Sequence, residues 1–501
     1  RIREYSTSLK DMMTLEDCLA SALECDAPMV SICGGEPLIY PRIEELIAGL
    51  LAQGRIVYIC TNGMFMRKKL KDYLAGIYSP TLEPTLARLL AEKLISDKDA
   101  EAIRKGKHDD RPVIRPTKWL YWNVHVDGLE YTHDLIVERE GVFKECVEAI
   151  RMAKLLGFQV ATNATVYKET DVKELEQMFE FFSSLEVDGH TISPGYDYDA
   201  AKKDMVKRLG KQPEDFFLTR KMTRQKFAKI QEWGEKFTIF GTPVYQEFLA
   251  GKRELTCTAW AIPTYNVKGW KAPCYLMTDA HYAHYPEMLA KVNWEKYGVV
   301  DGVARDPRCE NCMVHCGYDP SGALGTNYQR GDNWKNFKYN FGAKPKPYAV
   351  TAELTQRAFN GVTIGKGHLA EAKAAINSPR AAMNGAQSVF QRREEAHDHG
   401  ARDGGADVLL TPELADLVSR ARRVVFVDAA VDSPREVQLR ELVPAMDELW
   451  LFHGPHQRGL AERFASMGER VMRVPIEQRG KNSLDFHLSF YLGYVAARHP
   501  H

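Results

Sequence analysis

From residue 12 to about 195 the chain alternates short apolar runs with amphipathic stretches, and that alternation constrains the fold most. Residues 15–25 carry apolar side chains at helical spacing, and 28–33 form a short apolar run. Residues 43–51 are helical again, and "IVYIC" (56–60) reads as a strand. "WLYWNVHVDG", a helix over 142–156, "FQVATNATV", a helix over 171–184 and "GHTISPGY" continue the pattern. Apolar strands each followed by a helix predict an α/β fold with parallel strands, either a (β/α) barrel or a doubly wound sheet. In both, ligand chemistry gathers at the carboxyl ends of the strands. The residues at those ends are Gly34, Gly35, Glu36 and Pro37, then Thr61, Asn62 and Gly63, then Asp127, Gly128, Asn163 and Ser193.

At 501 residues the chain is long enough for two or three domains. The spans expected are 1–200 for the first α/β unit, 201–340 for an irregular cysteine-bearing region, 341–420 for a linker with a helical segment, and 421–501 for a second α/β unit. Charged helical text over 64–116 interrupts the first unit and reads as a surface insertion. The second unit opens on "RRVVFVDAAV" and is incomplete by His501. Because the text begins abruptly at Arg1, a fragment is expected. Lys plus Arg and Asp plus Glu both total 67, so no net charge drives the chain onto nucleic acid or a membrane surface. No apolar run approaches the roughly 18 residues of a membrane span. Ten cysteines, several in C-x-x-C spacing, suit metal or redox chemistry in a cytoplasmic protein better than a secreted disulfide scaffold.

Three groups of residues carry chemistry. "CGGEP" offers backbone unobstructed by a Cβ and a carboxylate, Glu36, able to accept from an ammonium group. Cys60 ends a strand beside that segment; a buried thiol there is either a small core hydrophobe or a hydrogen-atom donor, since S–H bonds are weaker than most C–H bonds. Cys309, Cys312 and Cys316 read C-x-x-C-x-x-x-C, with Cys274, Cys257 or His315 as further partners. That trio is a metal signal, for an auxiliary iron–sulfur cluster or for zinc. His125 and His133 read as polar packing or surface residues. Tyr196, Tyr198, Trp260 and Trp270 are either core residues or walls of an apolar substrate cavity.

"CGGEPLIYP", "YICTNG" and "HVDGLEYTHD" resemble the radical S-adenosylmethionine superfamily in order and spacing. Together with "GFQVATNATV", "VDGHTISPGYDY", "FLAGKRELTCTAW", "GWKAPCYL" and "CENCMVHCGYDP", they resemble the adenosyl-hopene transferase family of hopanoid biosynthesis over about residues 1–325. The resemblance implies that Gly34, Gly35, Glu36, Pro37, Thr61, Asn62, Asp127, Asn163 and Ser193 line the S-adenosylmethionine and substrate cavity. It implies a transferase that adds a 5′-deoxyadenosyl radical to a hopene-type isoprenoid alkene, with Cys60 returning a hydrogen atom. A flavodoxin- or ferredoxin-like electron donor and access to a membrane-held substrate follow from the same resemblance. The superfamily's C-x-x-x-C-x-x-C loop for a [4Fe–4S] cluster does not precede Gly34 here. The first strand and that loop are therefore expected upstream of Arg1, and the chain as it stands is expected to be inactive.

The carboxyl-terminal text, from "VVFVDAAV" to "LDFHLSFYLGYVAA", resembles PIN-like nucleases, whose acidic strand ends hold Mg or Mn against a phosphodiester. That resemblance implies Asp428 and Asp485 as metal ligands, flanked by Lys481 and Asn482, with RNA as partner and a last acidic segment beyond His501. The alternative function is thus a metal-dependent ribonuclease module on an inactive scaffold. An artificial joining of the two halves is a third reading.

Overall fold

The computed structural model describes residues 12–76, 81–106, 112–196, 216–324, 327–341 and 351–359, together with strand segments 424–427, 449–453 and 471–475. Five parallel strands form one sheet in chain order: β1 (Met29–Ile32), β2 (Ile56–Thr61), β3 (Leu120–His125), β4 (Gln159–Val166) and β5 (Gly189–Pro194). Sequential order with every neighbour parallel requires a crossover on one side each time, which is the geometry of a partial (β/α) barrel. An extended segment prolongs the sheet past β5, where Ile239 bridges His190 in parallel and His190 N–H donates to the Thr238 carbonyl at 2.8 Å.

Side chains alternate across a strand, so the register sorts them onto two faces. One face, with Val57, Ile59, Trp122, Val124, Val160, Ala164 and Ile192, lies in the main apolar core. The helices supply the other half of that core: α1 (Leu15–Cys25), α2 (Ile43–Ala52), α3 (Met66–Ala75), then α4 (Leu82–Ala91) and α5 (Asp97–Arg104), then α6 (Glu130–Ile136), α7 (Val142–Leu155) and α8 (Val172–Ser184). Their apolar residues recur every three or four positions, as Leu46, Ile47 and Leu50 do on α2, giving each helix one stripe to bury. The opposite face of the sheet carries Tyr58, Cys60, Tyr121, Asn123, His125, Asn163, Thr191 and Ser193. Near the amino ends of the strands Tyr58 and Tyr121 stack at 4.9 Å and form an aromatic floor. Above it, toward the carboxyl ends, the face becomes polar.

The charged stretch 64–116 folds into α3, α4 and α5, and its Leu70, Leu86, Leu89, Ala100 and Ile103 are buried in the main core. The charges occupy the outer faces in ion pairs such as Arg104–Glu83 and Lys71–Asp99. The 201–340 region holds short helices and a three-stranded antiparallel sheet, Thr264–Asn266, Gly269–Pro273 and Thr278–Tyr282. In the last part of the chain Val424–Val427, Leu449–His453 and Val471–Pro475 make a parallel three-stranded sheet, again in chain order. Among the described residues no helix is long and apolar enough to cross a membrane.

Candidate functional site

At the end of β1 the chain turns through Gly34, whose φ of +126° is open only to glycine. A Cβ added at Gly34 or Gly35 would meet no heavy atom within 4 Å. Both glycines are exposed, so the turn presents bare backbone to open space. Glu36 follows, only 4% exposed, and caps a short helical turn that begins at Pro37. Its carboxylate accepts from Leu38 N–H at 3.1 Å, from the Thr61 hydroxyl at 2.7 Å and from Asn62 N–H at 2.8 Å. The ends of β1 and β2 are thereby tied through one side chain. Its charge is met by three donors of the chain itself, so an incoming ammonium would meet the Gly34 and Gly35 carbonyls first.

Beside this turn the polar face of the sheet forms a continuous row. Cys60 pairs in register with Asn123, and Asn123 Nδ2 donates to the Cys60 sulfur at 3.7 Å. Two residues along β3, His125 Nε2 lies 2.8 Å from Asp127 Oδ2, and Asp127 Oδ1 accepts from Thr165 N–H at 2.8 Å. Asp127 N–H in turn donates to His133 Nδ1 at 3.2 Å. His125 sits opposite Asn163 on β4, and Asn163 opposite Thr191 on β5. Ser193, at the end of β5, is 2.9 Å from His315 Nδ1. The nine residues that the resemblance assigns to the cavity thus lie at or toward the carboxyl ends of the strands of one sheet. Direct contacts join Glu36, Thr61 and Asn62; Asp127 and Ser193 are held by His125 and His315.

Burial disfavours a charge on His125, but the Asp127 carboxylate outweighs it and raises the imidazole above its ordinary 6.5. Burial opposes the Asp127 charge too, and the His125 imidazolium more than offsets this, keeping the carboxyl below 3.8. Burial and the positive His125 push His133 down to about 4. Because the folded pKa of His125 exceeds the unfolded one and that of Asp127 lies below it, the stability from this pair is complete between about 3.8 and 6.5; it is lost as pH rises through the raised His125 value and as pH falls through the lowered Asp127 value. A proton NMR titration is expected to find His125 above 6.5 and His133 near 4, and Asp127→Asn to bring His125 below 6.5. An unmoved His125 in that variant removes the pair from the site.

The sequence reading of His125 as packing missed this dyad. The available signal was the two-residue period, which puts His125 on the face of Cys60 and Asn123. Cys33 and Asn123 were overlooked in the same way.

The second site is a hollow lined by Cys257, Cys274, Cys309, Cys312 and Cys316, with Tyr196 and Arg308 on its wall. A Cβ at Gly317 would strike the Cys257 sulfur, so only glycine leaves room there. Burial raises all five thiols, Cys309 to about 11 and Cys312 to about 12, and neighbouring thiols add to it at Cys257, Cys309, Cys312 and Cys316. They stay neutral unless a cation converts them to thiolates. Among the described residues no three His, Cys, Asp or Glu side chains converge as one ion requires. Trp270 belongs to a separate cluster with Met288 and Leu289, and its Nε1 donates to Glu24 at 2.7 Å. Trp260 packs on that cluster. Tyr198, Asp428, Lys481, Asn482 and Asp485 lie outside the described residues.

Residues 190–336 match a domain of unknown function (DUF3463), and residues 422–501 match a PIN domain. No curated protein matches the chain. Among solved structures the chain is similar to Streptococcus suis SuiB bound to S-adenosylmethionine, at 17% identity over 36% of this chain and 32% of that one, with a TM-score of 0.23. It is also similar to SuiB bound to its precursor peptide SuiA, at 15% identity over 46% of this chain and 40% of that one, with a TM-score of 0.28. The chain spans two fifths or less of the length of these structures.

Proposed function

We propose that the carboxyl ends of the strands hold S-adenosylmethionine with its amino-acid end on Gly34 and Gly35, and that the chain belongs to a radical S-adenosylmethionine transferase. The observation that carries this is the open, Cβ-free turn at Gly34–Gly35, fixed from below by Glu36. When bound, the cofactor supplies a carbon-centred adenosyl radical on one-electron reduction. The residues of the chain do the rest. The Gly34 and Gly35 carbonyls accept from the ammonium group, and Glu36 holds Thr61 and Asn62 in place beneath them. Asp127 holds His125 by a hydrogen bond and raises its imidazole above the ordinary value, so the pair sets a fixed N–H donor and its counter-charge on this face of the sheet. Asn123 orients the Cys60 thiol, which gives a hydrogen atom to the substrate radical and closes the reaction. The substrate class is a hopene-type isoprenoid alkene, on the motif resemblance, and the reductant is a flavodoxin- or ferredoxin-like carrier.

In the same reading the cysteine hollow would hold an auxiliary iron–sulfur cluster, the resemblance and the C-x-x-C-x-x-x-C spacing being its support. Cys274, Cys309, Cys312 and Cys316 would be its ligands. A second reading rests on the PIN match: residues 422–501 act as a metal-dependent ribonuclease unit using Asp428 and Asp485.

One experiment addresses both sites. After anaerobic reconstitution, equilibrium dialysis with labelled S-adenosylmethionine is expected to show one bound molecule per chain, and Cys312→Ala to lose iron and sulfide without losing the nucleoside. No binding at millimolar cofactor would end the radical reading, and ribonuclease activity by a preparation without binding would favour the second.

A further inference from the structure

The first two strands of the polar face end in thiols one register step apart. Ile32 pairs with Ile59 in the parallel ladder, so Cys33 and Cys60 follow as the next neighbours. Adjacent strands stand about 4.8 Å apart, inside the Cα separation of about 4.4–6.8 Å at which a disulfide closes without backbone movement. The two thiols perturb each other, Cys60 falling below and Cys33 rising well above the ordinary thiol value. Neither belongs to the apolar core, whereas Cys146, a buried thiol of α7, does. Cys33 is exposed and Cys60 half-buried.

A second observation marks the pair as more than two adjacent cysteines. Asn123, 4% exposed, donates its Nδ2 to the Cys60 sulfur while its buried Oδ1 has no hydrogen-bond partner among the described residues. An unmet buried acceptor costs about 1–3 kcal/mol, which is hard to account for if the amide serves packing alone. An amide fixed at the sulfurs with a spare acceptor suits a site where an S–H changes state.

We propose that Cys33 and Cys60 form a redox-active dithiol, in which Cys33 closes on Cys60 as a disulfide once Cys60 has given up its hydrogen. The proposal rests on the reading of Cys60 as hydrogen-atom donor. The Cys60 S–H bond breaks homolytically and its hydrogen passes to a carbon radical, leaving a thiyl. Cys33, reachable by water, loses its proton to solvent, and its sulfur lone pair joins the thiyl in a three-electron S–S bond. The surplus electron leaves to a one-electron acceptor of the iron–sulfur or flavin class, and the disulfide remains. A dithiol reductant then returns two electrons and two protons and restores both thiols.

The test needs no turnover. The protein is equilibrated in glutathione buffers from reducing to oxidising, quenched in acid, alkylated, digested and analysed by mass spectrometry. Expected is a linked peptide pair joining Cys33 to Cys60, reversed by dithiothreitol; in Cys33→Ser the protected fraction of Cys60 is lost and replaced by a glutathione adduct. Independent alkylation of both thiols at every ratio would overturn the dithiol, even where dialysis shows S-adenosylmethionine bound. A reversible Cys33–Cys60 disulfide in a protein that binds no S-adenosylmethionine keeps the dithiol and overturns its coupling to hydrogen transfer. Far-ultraviolet circular dichroism of Cys33→Ser and Cys33→Ala, unchanged from the parent, excludes misfolding as the cause of either result.

Discussion

Glu36→Ala should abolish S-adenosylmethionine binding and lower stability by about 3 kcal/mol. The carboxylate is buried and accepts from Leu38 N–H, the Thr61 hydroxyl and Asn62 N–H. Removing it strands two backbone donors and one hydroxyl where water scarcely reaches. Hydrogen bonds to a charged group contribute about 1.5–3 kcal/mol each, and water entering the vacated space recovers part of the sum. Glu36→Gln separates the charge from the shape. Its carbonyl oxygen can still accept from Leu38 and Thr61, but its amide then faces Asn62 N–H, donor against donor. That variant should lose about 1–2 kcal/mol, one bond and its repulsive replacement. Urea unfolding gives the stability change, and equilibrium dialysis gives the binding. A Glu36→Ala protein that binds the cofactor as tightly as the parent would move the ligand away from this turn.

The five strands were legible because their apolar runs are short and the first four are each followed by an amphipathic helix. Val57 and Ile59 on β2, then Met66, Leu70 and Leu74 on α3, show the switch from a period of two to one near 3.6. Less legible was the stretch 64–116, whose charges drew attention to its surface. One stripe of Leu86, Leu89, Ala100 and Ile103 was enough to bury α4 and α5. The cysteines show where spacing stops informing. C-x-x-C-x-x-x-C points to three thiols on one loop and helix start, while the fold brings Cys257 and Cys274 to the same hollow from two other segments. The His125–Asp127 pair spans only two residues, yet its meaning depends on β4, because Thr165 N–H fixes the carboxylate from the neighbouring strand. A register between strands is long-range information that a local pattern does not carry.

The largest loss of stability is expected at Asp332→Ala, about 3–5 kcal/mol. Arg253 and Asp332 face each other with two parallel bonds, Nη1 to Oδ1 at 2.9 Å and Nη2 to Oδ2 at 3.0 Å, and both side chains are 2% exposed. Asp332 also accepts from Gln329 N–H at 2.8 Å, and Arg253 donates to the Asn327 carbonyl. The pair therefore joins the loop after the helix Pro243–Leu249 to the start of the helix Asp332–Phe341. Removing the carboxylate leaves a guanidinium that cannot shed its proton, has little water to solvate it, and keeps only the Glu247 carboxylate, 3.4 Å from Nη1, as counter-charge. Replacing both partners with apolar residues of similar volume, Arg253→Met with Asp332→Leu, takes away the desolvated charge as well and should cost much less than the single change. Urea unfolding of the single and double variants measures the difference. Cys257 lies four residues beyond Arg253 on the segment this pair anchors, so Asp332→Ala should also lower the iron and sulfide taken up by the cysteine hollow, and the double variant should regain it. A single variant within 1 kcal/mol of the parent would mean that water enters around Arg253 and that the pair is not a buried one.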